Sequence, residues 1–231
     1  MPRTKTKKST ALRILDAAEE LFADRAFDAV SVREITALAG VRLNLLAYYF
    51  KTKQALFEKV IDRRLEILNQ RRHELLQQLL ARPNPPSVED LLAAFIKPYL
   101  ELAGQGDPGW VSYTRLIAQL CQADRYSPLM EAHMSETLSR FLDAFSLALP
   151  GVDRSVIKQG FYYAIALMVA SFSGVARIDG LLEGSISGEQ LEAAYRPLLT
   201  YTVAGMNAIY RSRCTNIVPT PMLTVAKMPE Q

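Results

Sequence analysis

Histidine, cysteine and clustered carboxylates most often carry catalysis or bind metals, and this chain uses them sparingly. It has two histidines, His73 and His133, and two cysteines, Cys121 and Cys214. Neither histidine has a triad or metal partner at a telling spacing: Glu131 lies two residues from His133, and Glu66 lies seven from His73. The cysteines are too far apart to form a metal-binding spacing and suit inert thiols in a reducing cytosol. Glycine-rich phosphate loops are absent from the sequence. No metal, cofactor or catalytic residue is expected, and the chain does not read as an enzyme. A different chemistry is concentrated between residues 42 and 53. Asn44 carries the amide that can read adenine, and Arg42 the guanidinium that can read guanine or grip a phosphate. Tyr48, Tyr49 and Lys53 follow as phosphate partners.

Such groups read bases only if a helix carries them into the major groove, and the segment from Ser31 to Lys53 provides for one. Ser31 with Glu34 has capping-box spacing and starts a helix. Ile35, Leu38 and Ala39 recur at helical spacing. Gly40 permits a left-handed backbone and ends the helix. Val41 then turns inward, and a second short helix runs from about Arg42 to Tyr49, with either Leu43 and Leu46 or Leu45 and Tyr49 facing the core. Thr52 is the candidate N-cap of the next helix. Two helices joined by a tight turn make a helix-turn-helix. The expected DNA-facing set is Ser31, Arg33, Arg42, Leu43, Asn44, Leu45, Tyr48, Tyr49 and Lys53. An ordinary pair of core helices would show the same periodicity.

Resemblance separates these readings. Ile14 to Phe22 (ILDAAEELF), Phe27, Ser31 to Ile35 (SVREI), Ala39-Gly40-Val41 and Tyr49 to Phe57 (YFKTKQALF) occur in this order and spacing. They resemble the DNA-binding domain of the tetracycline-repressor (TetR) family of bacterial regulators. The resemblance implies three N-terminal helices, the third reading bases, followed by a divergent helical body. Two positions depart from the family's habit. Thr36 stands where a smaller alanine is usual and must fit near the helix crossing. Ala47 stands where tyrosine, asparagine or histidine is common and cannot donate to a phosphate.

Charge follows the same division. Residues 1–60 hold 11 Lys and Arg against 7 Asp and Glu, whereas the remainder holds 16 against 17, so the net charge of +3 sits with the reading head. That distribution favours a polyanionic partner. The arm Pro2 to Lys8 has four cations and no core residue; it is expected to be disordered when free and able to follow phosphates or enter a minor groove. No secretory leader is expected, and the apolar stretch from Ala164 to Ala176 is too short to span a bilayer. Bacterial cytosol is the expected location, with nucleoid association when bound.

At 231 residues and 49% hydrophobic, the chain can bury a substantial core. Helical patterns run over Lys53–Ala81, Ser87–Ala103, Trp110–Ala123, Ser127–Leu149, Asp153–Leu182 and Ser187–Arg211, with neither strand alternation nor an internal repeat. The expected architecture is all-α: an arm and three-helix head over 1–53, a larger ligand-binding and dimerisation domain over 54–212, and a frayed tail over 213–231. The last two helices are the expected homodimer seam, through Phe161, Ile165, Phe172, Leu191, Tyr195, Leu198, Thr202, Met206 and Ile209. Two heads on a two-fold axis would read a palindromic operator in double-stranded DNA. Phe95, Tyr99, Trp110, Tyr113, Leu116, Met130, His133, Met134, Tyr162, Met168 and Arg177 are the candidate lining of a chamber for an apolar or aromatic effector. The expected function is a DNA-binding transcriptional regulator, a repressor released by that effector. The alternative is an effector-independent regulator or an activator with a filled body.

Overall fold

Local capping accounts for most helix starts in the computed structural model, which describes residues 9–104, 107–173 and 191–214. Among those residues there are nine α-helices and no strand: α1 (Thr10–Asp24), α2 (Val32–Ala39), α3 (Leu43–Phe50), α4 (Lys53–Leu80), α5 (Val88–Gly104), α6 (Pro108–Cys121), α7 (Ser127–Ala148), α8 (Arg154–Ser173) and α9 (Leu191–Cys214). Single 3₁₀ turns at Phe27–Ala29 and Asp124–Tyr126 precede α2 and α7. Ser9, Ser31, Thr52 and Asp107 each accept a backbone N–H of the first turn of the helix that follows. Ser87 and Asp90 exchange the same pair of bonds before α5. The basic arm, residues 215–231 of the expected tail and Arg177 lie outside the described residues, as do the side chains of Phe172 and Leu191.

The head is α1 to α3 around Ile14, Phe22, Ile35 and Leu46, all at most 2% exposed. Phe57, at the start of α4, meets Phe22 and Phe27 edge-on with ring centroids 4.9 Å apart, and it also touches Tyr126. The head therefore shares its core with the body rather than hanging from a linker. In the body, α4, α5, α6, α7 and α8 surround a second aromatic group, Phe95, Phe141, Phe145 and Phe161. The last helix, α9, packs on α5 and α8, and α1 packs on α6.

The expected seam residues are mostly turned inward. Phe161, Leu198, Thr202 and Met206 are 2–8% exposed and pack within the protomer's own core. Ile165, Tyr195 and Ile209 are half-buried against that core. The surface of α8 and α9 instead carries Tyr162, Tyr163, Leu167 and Tyr201, at 64%, 53%, 37% and 70% exposed. Tyr162 thus points away from any interior chamber. Among the described residues no helix is long and apolar enough to cross a membrane, and no group of His, Cys, Asp and Glu is placed to hold a metal ion.

Candidate nucleic-acid interface and the body behind it

The turn before the reading helix is held from both sides. Ser31 Oγ accepts from the Glu34 N–H at 3.2 Å, while Glu34 Oε2 accepts from the Ser31 N–H at 2.8 Å. With Arg25 also donating at 2.8 Å, these bonds hold the Glu34 carboxyl at about 2, well below its ordinary value. At the far end Gly40 adopts φ 63°, ψ 40°. Its N–H reaches Ala37 O and the Val41 N–H reaches Thr36 O, each at 3.0 Å. These two bonds close the helix in the left-handed C-cap pattern. Arg13 of α1 completes the end, its Nη2 donating to Ala39 O at 2.6 Å and Gly40 O at 2.8 Å. Thr36 fits at the crossing because its hydroxyl bonds back to Val32 O and Arg33 O within its own helix.

On α3, Leu46 is the buried anchor and Leu45 is half-buried, whereas Leu43 and Tyr49 are exposed, so neither expected pair faces the core as a whole. Arg42, Leu43, Asn44, Ala47, Tyr48 and Tyr49 are exposed, with Leu43 at 50% and Tyr48 at 78%. Ser31 and Arg33 are exposed at the start of α2. Most of the expected DNA-facing side chains are therefore exposed on or beside α2 and α3, with two qualifications. Leu45 is partly withdrawn. Lys53 donates to Phe27 O at 2.7 Å and Val30 O at 2.9 Å and lies 4.1 Å from the Phe27 ring centre. Two of the three ammonium donors thus serve the head's own turn, leaving one for a phosphate. Lys53→Ala would loosen the head as well as remove a cation.

Lys51 stands at φ 61°, ψ −57°, and the Thr52 N–H reaches Phe50 O at 2.6 Å. This γ-turn is a strained conformation for a residue with a Cβ. It reverses the chain between α3 and α4 and leaves Lys51 exposed on the α3 side. Lys51→Gly should therefore raise the unfolding free energy by about 1 kcal/mol, because such strain is of that order. The same change should weaken binding to all DNA and flatten its salt dependence by about one unit of slope, since one phosphate contact is lost. Urea unfolding and salt titrations of binding read the two effects, and a loss of stability would contradict the strain argument.

Behind the head lies a junction that no local sequence pattern announces. Glu19 of α1 is 1% exposed. Its carboxylate takes a two-pronged bond from Arg64, at 2.9 Å and 2.9 Å, and a third from Arg63 at 2.7 Å. Arg63 also holds Asp16 at 2.8 Å, and Arg64 holds Asp107, the N-cap of α6, at 2.9 Å. A Cβ on Gly109 would lie 1.9 Å from Arg64 Nη2 and 2.6 Å from Glu19 Oε2, so glycine is what lets α6 approach this cluster. Arg115 to Asp24, Gln119 to Ala23 O and Arg125 to Asp28 add three more ties between head and body.

The candidate chamber residues divide. Phe95, Tyr99, Trp110, Tyr113, Leu116, Met134 and Met168 are buried in the interior packing, and Met130 is half-buried on α7. His133 lies instead on an open groove of about 750 Å³ between α4 and α7, with its Nε2 3.0 Å from Asp62 Oδ1. Asn69, His73 and Thr137 line the same groove, and Thr137 Oγ1 is 3.0 Å from His73 Nε2. Burial first, and then the Arg140 charge, push His73 below its ordinary value. This groove is lined mainly by polar side chains, and of the expected chamber residues it takes in only His133.

Comparison with known proteins agrees with this geometry. Residues 14–60 match the model described as bacterial regulatory proteins, tetR family, and residues 93–205 match tetracyclin repressor-like, C-terminal domain. No curated protein matches. Among solved structures, AmtR of Mycobacterium smegmatis is 23% identical with a TM-score of 0.55, covering 93% of this chain and 98% of that one. SmeT, the repressor of the Stenotrophomonas maltophilia efflux pump SmeDEF, is 20% identical with a TM-score of 0.60, covering 85% and 90%. The fatty acid degradation regulator FadR of Bacillus halodurans is 15% identical with a TM-score of 0.56, covering 84% and 97%. With a head of this geometry, a helical body behind it and a family match in each, the chain belongs to the TetR family of transcriptional regulators.

Proposed function

We propose that this regulator is a homodimeric repressor that binds a palindromic operator and leaves it when a small molecule occupies the helical body. The observation that carries the reading is the exposed face of α3. Arg42, Leu43, Asn44 and Tyr48 project outward from a helix whose position is fixed by Leu46 and by the Gly40 turn. Phosphate contacts from Tyr48, Tyr49, Lys51 and the leftover Lys53 donor would supply register, while Asn44 and Arg42 would supply base choice. Selection from a random DNA library tests the reading, and one enriched palindrome is expected. No enrichment at ~50 mM salt, where phosphate contacts are strongest, would count against it.

Dimerisation is supported by the aromatic stripe Tyr162, Tyr163, Leu167 and Tyr201, because apolar patches of this kind mark association surfaces. The parent protein should show twice the mass of one 25.8 kDa chain by light scattering. The double variant Tyr163→Arg, Tyr201→Arg should run as one chain at micromolar concentration and lose palindrome binding. A monomeric parent would remove the seam from the reading. Release would follow from unequal affinity of the effector for two arrangements of α4 and α6 relative to the head; equal affinity would shift nothing. The junction at Glu19 is where those two helices meet α1.

A further inference from the structure

Arg72 of α4 is 2% exposed. Its Nε donates to Phe95 O at 2.9 Å, and its guanidinium lies 3.7 Å from the Phe95 ring centre. The contact from Nη1 to Asn69 Oδ1 is long, at 3.4 Å. Among the described residues no carboxylate stands within ion-pair distance of it. Isolation in the apolar interior pushes its value down to about 10, against the weaker opposing influence of the Tyr113 and Tyr99 phenols nearby. Tyr113 is fully buried, and its hydroxyl has no hydrogen-bond partner among the described residues. A buried guanidinium without a counter-charge is among the most unfavourable arrangements an interior can hold, and an unpartnered buried hydroxyl adds to it. An incoming carboxylate would answer both, accepting two parallel bonds from the guanidinium and one from the phenol.

We propose that Arg72 and Tyr113 bind the carboxylate of the effector, so that the signal is a small organic acid rather than a neutral apolar compound; this rests on the effector-responsive reading above. Asn69 marks the route. It lines the groove between α4 and α7 and also holds the weak bond to Arg72, so a ligand carboxylate arriving from the groove displaces the amide and takes its place. The remainder of the ligand lies in the groove. That part of the ligand carries no second negative charge, because Glu66 and Glu74 line the groove beside Asp62 and Glu136, of which Lys59 and Arg140 neutralise the latter two.

Trp110, the chain's one tryptophan, meets Tyr113 edge-on at 5.5 Å and reports on the site without DNA. The full-length protein is titrated with acetate, hexanoate, benzoate and phenylacetate and with the matching primary amides, following Trp110 fluorescence and Tm. At least one acid should bind saturably and raise Tm, with its amide at least tenfold weaker. Tyr113→Phe should weaken that acid about fivefold. Arg72→Met should abolish the preference for acid over amide while leaving the ligand-free Tm unchanged or higher, since an unpaired buried charge is removed. Equal binding of acid and amide, no binding by any acid, or a ligand-free Tm lowered by Arg72→Met together with unchanged acid binding would each overturn the proposal. An operator recovered by DNA selection with no acid binding would defeat this site alone. Acid binding without any operator would defeat the regulator reading and leave the site standing.

Discussion

Glu19→Ala is expected to lower the unfolding free energy by about 3 kcal/mol, because removing one member of a buried ion cluster leaves its partners charged and unpaired. Two guanidiniums converge on this one carboxylate, and the Arg63 and Arg64 side chains are only 20% and 12% exposed. Asp16 and Asp107 retain one prong of each arginine, which holds the loss to the lower end of the usual range. Glu19→Gln keeps the shape and loses the charge, so it should fall between the parent and the alanine variant. Urea unfolding followed by circular dichroism reads the difference, and a loss under ~1 kcal/mol would show that the surviving aspartates suffice. The variant should also bind the operator less tightly than its remaining folded fraction explains, because α1 would no longer be pinned to α4 and α6. Operator affinity unchanged after correction for folding would confine the junction to stability.

What was legible in the sequence was local. Capping boxes and N-caps act over two or three residues, so Ser31 and Thr52 announced their helices directly. Gly40 was readable because a left-handed helix end selects for it. The groups that join elements were not readable in this way. Arg13 reaches Gly40 across 27 residues, Arg64 reaches Glu19 across 45, and Arg72 is isolated by helices from distant parts of the chain. No local pattern distinguishes those arginines from solvated ones such as Arg71 of α4. The two C-terminal helices posed a different difficulty. On α8 the buried stripe through Phe161, Ala164 and Met168 lies one residue from the exposed stripe through Tyr162 and Tyr163. Both are apolar at helical period, and only packing shows which faces inward. The same uncertainty put Tyr162 among the chamber residues and hid the polar groove between α4 and α7, whose lining reads in sequence as an ordinary solvated helix face.

Gly40→Val should abolish specific DNA binding at a temperature where the parent binds, through two additive insults. A β-branched residue at φ 63° is strained by about 1–3 kcal/mol. Its Cβ would also lie 2.8 Å from Arg13 Nη2, the group that caps Ala39 O and Gly40 O. Driving that guanidinium away forfeits charged hydrogen bonds, a further loss of about 1.5–3 kcal/mol. The head is small, and α3 begins three residues after this turn. Even molecules that remain folded would therefore aim Arg42 and Asn44 differently. Gly40→Asn should be the mildest replacement because asparagine tolerates the left-handed region, Gly40→Ala intermediate, and Gly40→Val the most severe. Phosphate contacts tolerate small shifts better than base contacts do. The ratio of operator to random-sequence affinity should therefore fall more steeply along this series than random-sequence affinity itself. Binding to the selected palindrome and to a scrambled duplex at one salt concentration measures that ratio. If it stays constant while Tm falls, the turn stabilises the head without setting the angle of the reading helix.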